Sequence, residues 1–297
     1  MKLAYIISAY KYPEQLTRLI HRLDTDSTAF FVHVDKKTDH RIYREMVNGL
    51  SDRQNVRFLK RHKCVWGDFG HVAATLEGIS EIFRTDTQFD YAILLTGQDY
   101  PIKSNRDIDA FFEEHKGKPF LEFSPLPNDI WQNRGIVGGM ERIEAWHWRI
   151  LKRHVWFPSG RRFPIKRKFP TSFKPFGGSS YWCLPKECIE YVHKLTAENR
   201  SFVDFFKYVD VPDEIFFQTI VLNSPFERMA VNDNLRYIEW DNLESGSPAI
   251  LRKDDFEKLL SSPKLFARKF DMRVDVKVLD LIDEKLLDEK TGKAAMK

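Results

Sequence analysis

The chain has 297 residues, 42% of them hydrophobic, 14% aromatic and 30% charged. That is the composition of a soluble globular protein, long enough for one large domain or two small ones. A formal net charge of +4 is too small to name a partner, and an odd set of three cysteines (Cys64, Cys183, Cys188) excludes a disulfide framework and predicts reduced thiols.

The first apolar run, Leu3–Ala9, reads as a buried parallel strand. Residues 13–23 then have helical spacing, with Leu16, Leu19, Ile20 and Leu23 on one face. The run is too short for the apolar core of a signal peptide, and no stretch approaches a membrane span. The expectation is a cytoplasmic protein whose membrane contact, if it has one, is peripheral. Strands follow at 29–34, 55–59, 91–95 and 119–123, and helices at 72–83 and 108–114. Alternation of this kind predicts an α/β fold with a mainly parallel sheet, which binds ligands at the carboxyl ends of its strands. Asp35 and Asp99 are placed there.

Residues 146–174 differ. They interleave Arg149, Lys152, Arg153, Arg161, Arg162, Lys166, Arg167, Lys168 and Lys174 with Trp148, Trp156, Phe157, Phe163, Phe169 and Phe173, and prolines interrupt them. They read as a long loop with room for a short helix at its start. Order resumes with a strand at 179–184, helices at 185–197 and 213–222, and a strand at 236–240. Helical turns at 254–260 and 263–266 and a terminal helix at 278–287 complete the chain. No internal repeat or linker divides it. The expectation is one domain, 1–297, with a nucleotide-binding half at 1–125 and an acceptor-binding and catalytic half at 126–297.

The segment Val211-Pro212-Asp213-Glu214 places two carboxylates where a proline opens a buried apolar segment. A rigid carboxylate suits a general base, and the same residues are ordinary helix-start chemistry. Asp210 is an alternative cap, since valine cannot accept a hydrogen bond. Phe31-Val32-His33-Val34-Asp35 ends a strand in a carboxylate that can accept from a nucleotide or cap the next helix; His33 reads as a packed strand residue. Thr96-Gly97-Gln98-Asp99 ends another strand, with Gly97 permitting positive φ or close backbone approach. Gly177-Gly178-Ser179-Ser180 either admits a bound sugar to the backbone or makes a tight strand entry. Leu265-Phe266-Ala267-Arg268-Lys269-Phe270-Asp271 sets two cations among aromatics, either for a phosphate or as a snorkelling surface pair. The Asp-x-Asp pairs at 24–26 and 107–109 follow or open helices and end no strand, and the histidines form no metal set in sequence.

Eight short blocks, in order, resemble the core-2/I-branching β-1,6-N-acetylglucosaminyltransferase family, which includes protein xylosyltransferases. They are Ser8-Ala9-Tyr10-Lys11, FVHVD (31–35), VWG (65–67), TGQDYPIK (96–103), GGSSYW (177–182), VPDE (211–214), Trp240 at the end of RYIEW, and LFARKFD (265–271). The resemblance implies a GT-A-like fold and inverting chemistry with no cofactor and no metal. It implies a UDP-sugar donor and a glycan acceptor, with UDP-GlcNAc as the donor and UDP-xylose as the alternative. Glu214 is then the catalytic base and Asp35 the uridine-binding acid. Ser8, Tyr10, Trp66, Gly67, Asp99, Arg252, Arg268 and Lys269 fall on the donor side, with Lys269 and either Arg252 or Arg268 at the diphosphate. Ser179, Ser180, Asp213 and Trp240 fall on the acceptor side. A compact bacterial member serving surface polysaccharide assembly is the implied setting.

Two readings of 149–174 stay open: contact with an anionic membrane surface or a lipid-linked charged glycan, and a solvated loop over the acceptor cleft. A non-catalytic glycan-binding protein is the alternative of another class. Nucleic-acid binding is disfavoured, since the positive charge is confined to one segment without a recognition motif.

Overall fold

The computed structural model describes residues 1–129, 138–150, 153–157, 166–170, 172–240 and 247–292. In chain order, β1 (Leu3–Ala9), α1 (Pro13–Leu23), β2 (Thr28–Val34), α2 (His40–Asn48), β3 (Val56–Phe58), α3 (Gly70–Arg84) and β4 (Tyr91–Thr96) alternate as the pattern predicts. They are followed by β5 (Asp99–Pro101), α4 (Asn105–Glu114), β6 (Phe120–Leu121), β7 (Ser124–Pro125) and the short α5 (Glu141–Glu144). Next come β8 (Trp146–Ile150), β9 (Arg153–Phe157), β10 (Phe176–Gly177), β11 (Trp182–Pro185), α6 (Lys186–Glu198), α7 (Arg200–Phe206) and α8 (Phe216–Leu222). The chain then runs through β12 (Val231–Asn232), β13 (Arg236–Ile238), α9 (Phe256–Ser261), β14 (Phe266–Arg268) and α10 (Lys277–Gly292).

The central sheet has seven strands in the order β12-β6-β11-β4-β1-β2-β3. β1 pairs in parallel with β2 and β4, and β2 with β3. β11 is antiparallel to both β4 and β6, so it alone runs against the rest. This is the expected α/β class, a mostly parallel sheet flanked by helices. Both faces of β1 are covered, which is why it reads as an unbroken apolar run. Tyr5 and Ile7 join the core that holds Leu16, Leu19 and Ile20 of α1. Ala4 and Ile6 point the other way, into the core with Val72, Ile79 and Ile82 of α3, as the two-residue period of a strand requires. All seven residues of α8 are buried in this second core region.

Four expectations change. Residues 146–157 contain an antiparallel hairpin, β8 with β9, where a loop was expected. Residues 266–268 form β14, which pairs with β13 and β5, instead of continuing a helical turn at 263–266. The expected helix at 213–222 is divided: Pro212–Glu214 is a 3-10 turn, and the α-helix starts at Phe216. The helices α2 and α7 add to the expected set; each packs residues four apart inward, Ile42 and Met46 on the first core and Phe202 and Phe206 in the second. Among the described residues no helix is long and apolar enough to cross a membrane, and all three cysteines are buried and free.

Candidate active site

The carboxyl ends of β1, β2 and β4 open into a cavity of about 1020 Å³. Ser8, Tyr10, Asp35, Trp66 and Gly67 line it, as do Ser179, Ser180, Asp213, Glu214, Trp240, Arg268 and Lys269. The structure thus gathers residues that the sequence spreads from 8 to 269. Asp99 and Arg252 do not line it. Asp99 is fully buried, accepts hydrogen bonds from the Thr96 N–H (2.7 Å) and hydroxyl (3.1 Å), and faces Arg268 Nε at 3.7 Å. It supports the cavity from below. The Arg252 side chain is exposed, while its backbone N–H donates to Asp255. That leaves Arg268 as the arginine beside Lys269.

At the end of β2, Asp35 is fixed by its own turn and by the segment after β3. Its Oδ1 accepts from the backbone N–H of Lys37 (2.9 Å) and of Cys64 (3.3 Å), and Lys37 Nζ lies 3.4 Å from Oδ2. His33, beneath it, is buried and accepts the His62 N–H at Nε2 (2.8 Å); burial lowers its pKa to about 4, so the ring is a neutral acceptor at pH 7. Tyr10 and Trp66 are 53% and 63% exposed, two aromatic rims on the same cavity.

The opposite wall is cationic. β14 carries Arg268 over the Tyr181 ring at 4.3 Å from its centroid. Two of its guanidinium nitrogens, Nε and Nη1, are buried without a hydrogen-bond partner among the described residues. Burial lowers the pKa of Arg268, against the pull of Asp99. Burial also lowers that of Lys269, helped by the neighbouring charges of Lys11 and Arg268. Crowded, partly desolvated cations of one sign are costly without an anion, and a diphosphate would supply four or more acceptor oxygens.

The third wall holds Glu214. Arg142 Nη1 donates to its Oε2 at 2.8 Å; the arginine side chain is 8% exposed and the glutamate 35%. Sequence reasoning missed Arg142, whose isolated helix-end position gives no local signal. The turn itself is pinned by the backbone: Val211 N–H donates to Gly67 O (3.1 Å), and Gly178 N–H donates to Glu214 O (2.8 Å). Val211 sits in the left-handed region at φ 49° and has no side-chain cap. Asp210 does not cap this turn; its carboxylate takes the Arg149 guanidinium instead. Rigidity of Glu214 therefore comes from tertiary partners and not from a helix N-terminus. Beside it, Asp213 Oδ2 accepts from the Ser180 hydroxyl at 2.8 Å, while its Oδ1 is buried with no partner among the described residues.

The glycines resolve by packing. A Cβ on Gly178 would lie 1.8 Å from Glu122 O, so a chain neighbour, not a ligand, excludes a side chain there. Gly97 has no positive φ and would accept a Cβ at ordinary contact with Ala9. The Asp-x-Asp pairs have structural partners: Asp24 binds Arg53 and Asn55, and Asp107 binds Ser104 at a helix start.

Xylosyltransferase 2 of Rattus norvegicus is 27% identical over 307 residues, covering 95% of this chain and 33% of its own. Xylosyltransferase 1 of Homo sapiens is 25% identical over 304 residues, covering 95% and 30%. The chain thus spans about a third of the length of these relatives. Among solved structures, mouse xyloside xylosyltransferase 1 in its apo form aligns with a TM-score of 0.42 at 10% identity, covering 89% of this chain and 97% of that one. The galactosyltransferase LgtC with donor and acceptor sugar analogues aligns at 0.37 and 9% identity, covering 90% and 86%. Residues 3–260 match the model of the family described as Core-2/I-Branching enzyme, and the chain belongs to that family.

Proposed function

We propose that this chain is an inverting glycosyltransferase that moves a sugar from a UDP donor, UDP-GlcNAc in the first reading, to a glycan acceptor with a β-linkage. The observation that carries this is one cavity joining a glutamate fixed by a buried arginine to a cationic wall short of counter-charge. UDP enters with its uridine at Asp35 and its diphosphate at Arg268 and Lys269. The acceptor hydroxyl approaches from the Asp213–Glu214 side, with Trp240 as a stacking surface. Glu214 Oε takes the hydroxyl proton as oxygen attacks the anomeric carbon, and the carbon–phosphate-oxygen bond breaks on the opposite face. Arg268 and Lys269 stabilise the charge that develops on UDP. This route needs no divalent ion at the diphosphate. The xylosyltransferase relatives favour UDP-xylose as the second reading of the donor.

The setting we favour is bacterial surface polysaccharide assembly at the inner face of the plasma membrane. Val155, Trp156 and Phe157 of the hairpin are 44%, 41% and 43% exposed, which suits a membrane or lipid-linked acceptor; sedimentation with anionic vesicles tests that part.

The deciding experiment is a panel of UDP-sugars assayed for hydrolysis and transfer, in excess chelator, with wild type and Glu214→Gln. Turnover of one donor by the wild type, retained in chelator and lowered about 10²–10⁴-fold in the variant with UDP binding intact, is expected. Near-normal turnover by Glu214→Gln removes the base. Glycan binding with no turnover of any donor would favour the non-catalytic alternative.

A further inference from the structure

Away from the diphosphate wall, the hairpin carries a second cluster. His147 and Arg149 of β8 and His154 and Trp156 of β9 share one face, because His147 pairs with Trp156 and Arg149 with His154. That face lies on Asp210, the residue just before the Glu214 turn. His147 Nδ1 is 2.9 Å from His154 Nε2, and His154 Nε2 is 3.7 Å from Asp210 Oδ1. One atom from each of the three residues lies within 4.8 Å of the others.

The tautomer of His147 follows from its other contact. Its Nε2 lies 3.0 Å from Glu141 O, and a carbonyl can only accept, so Nε2 carries the proton. Nδ1 is therefore a lone pair aimed at His154 and Asp210, and the Nε2–H to carbonyl bond orients the ring as an outer-shell partner orients a metal-bound histidine. Two imidazole nitrogens and one carboxylate oxygen form a borderline-soft donor set that suits zinc and its neighbours over magnesium or calcium. The two distances, 2.9 and 3.7 Å, bracket the about 3.3 Å edge of a tetrahedron with zinc bonds of about 2.0 Å.

We infer that His147, His154 and Asp210 form a zinc-type metal site that fastens the hairpin to the turn bearing Glu214. The ion would replace the shared histidine proton, with water as fourth ligand, and would compete with the Arg149 guanidinium for Asp210. It stands apart from the diphosphate chemistry proposed above and does not depend on it.

The test uses full-length untagged protein, stripped with chelator, desalted and titrated with zinc alone against a chromophoric competitor, with no sugar or nucleotide present. One equivalent is expected to bind and to raise the thermal midpoint, with no comparable response to magnesium. His154→Asn, at an exposed position, is expected to lose saturable zinc binding while keeping the wild-type circular dichroism spectrum. Arg149→Gln is expected to tighten binding by about tenfold, since a cation beside a divalent ion is removed. Cobalt in place of zinc is expected to show visible d–d bands in wild type and not in His154→Asn. No binding by wild type, or zinc binding unchanged in both variants, overturns the assignment.

Discussion

The Asp35 side of the cavity is built from strand ends, the Glu214 side from a turn that backbone bonds to distant segments and one distant side chain tie down. Asp35 follows directly on β2, and the backbone N–H groups that fix it belong to Lys37 and Cys64. Glu214 sits in a 3-10 turn, and the arginine that fixes it lies 72 residues away. The lesson is that Asp35 is positioned by backbone N–H groups, one from its own turn and one from Cys64 beyond β3, whereas Glu214 depends on the packing of a side chain from a separate helix. Damage to the donor side should therefore weaken binding, and damage to the supports of Glu214 should slow chemistry.

After Glu214→Gln, the largest break is expected from Lys269→Ala, which removes one cation from the cationic wall. It should lower kcat/KM by about 10²–10³-fold with an unchanged melting curve, read by steady-state kinetics and circular dichroism. Next is Arg142→Ala. Loss of the 2.8 Å contact frees the Glu214 carboxylate to swing, and a misplacement of about 1 Å costs on the order of 10²-fold in kcat. The KM for the donor should hold, and Arg142→Lys should recover part of the rate. A rise in KM alone would place Arg142 in donor binding and undo the comparison. Asp35→Asn keeps an oxygen for the Lys37 and Cys64 N–H groups and loses the charge. It should weaken UDP binding by about tenfold, the value of one charge-assisted hydrogen bond, and leave kcat nearly unchanged in calorimetry and saturation kinetics.

The last effect concerns stability and leaves the chemistry alone. His33 titrates near 6.5 when unfolded and near 4 in the folded protein, because burial disfavours its cation. The unfolded chain binds the extra proton, so stability falls as pH drops from 6.5 toward about 4, by roughly 3 kcal/mol at the limit. His33→Gln can still accept the His62 N–H and does not titrate. It should flatten that part of the acid dependence in urea midpoints measured between those two pH values; an unchanged slope would show that other groups set it.

Much of the strand frame around Asp35 was legible in the sequence because its signals are local. Apolar runs gave β1, β2 and β4, and the four-residue spacing of Leu16, Leu19, Ile20 and Leu23 gave α1. Asp35 followed from its place at a strand end. Asp99 shared that local signature yet points inward, to Thr96 and Arg268, because the next strand folds back to pair with β14. Arg252 had the right charge and the wrong side of the chain. Gly178 was read with two possibilities, and only the approach of Glu122 O selected between them.

By itself the sequence determined the alternating α/β frame, the apolar strands buried on both faces, and the short motifs that mark the Core-2/I-Branching family. These are properties of pattern along a few residues, set by the periods of strand and helix. Only the tertiary structure decided that 146–150 pairs with 153–157, that 266–268 join a sheet, and that Arg142 holds Glu214. Each is a pairing across many residues, where the energy comes from a partner that no local window contains.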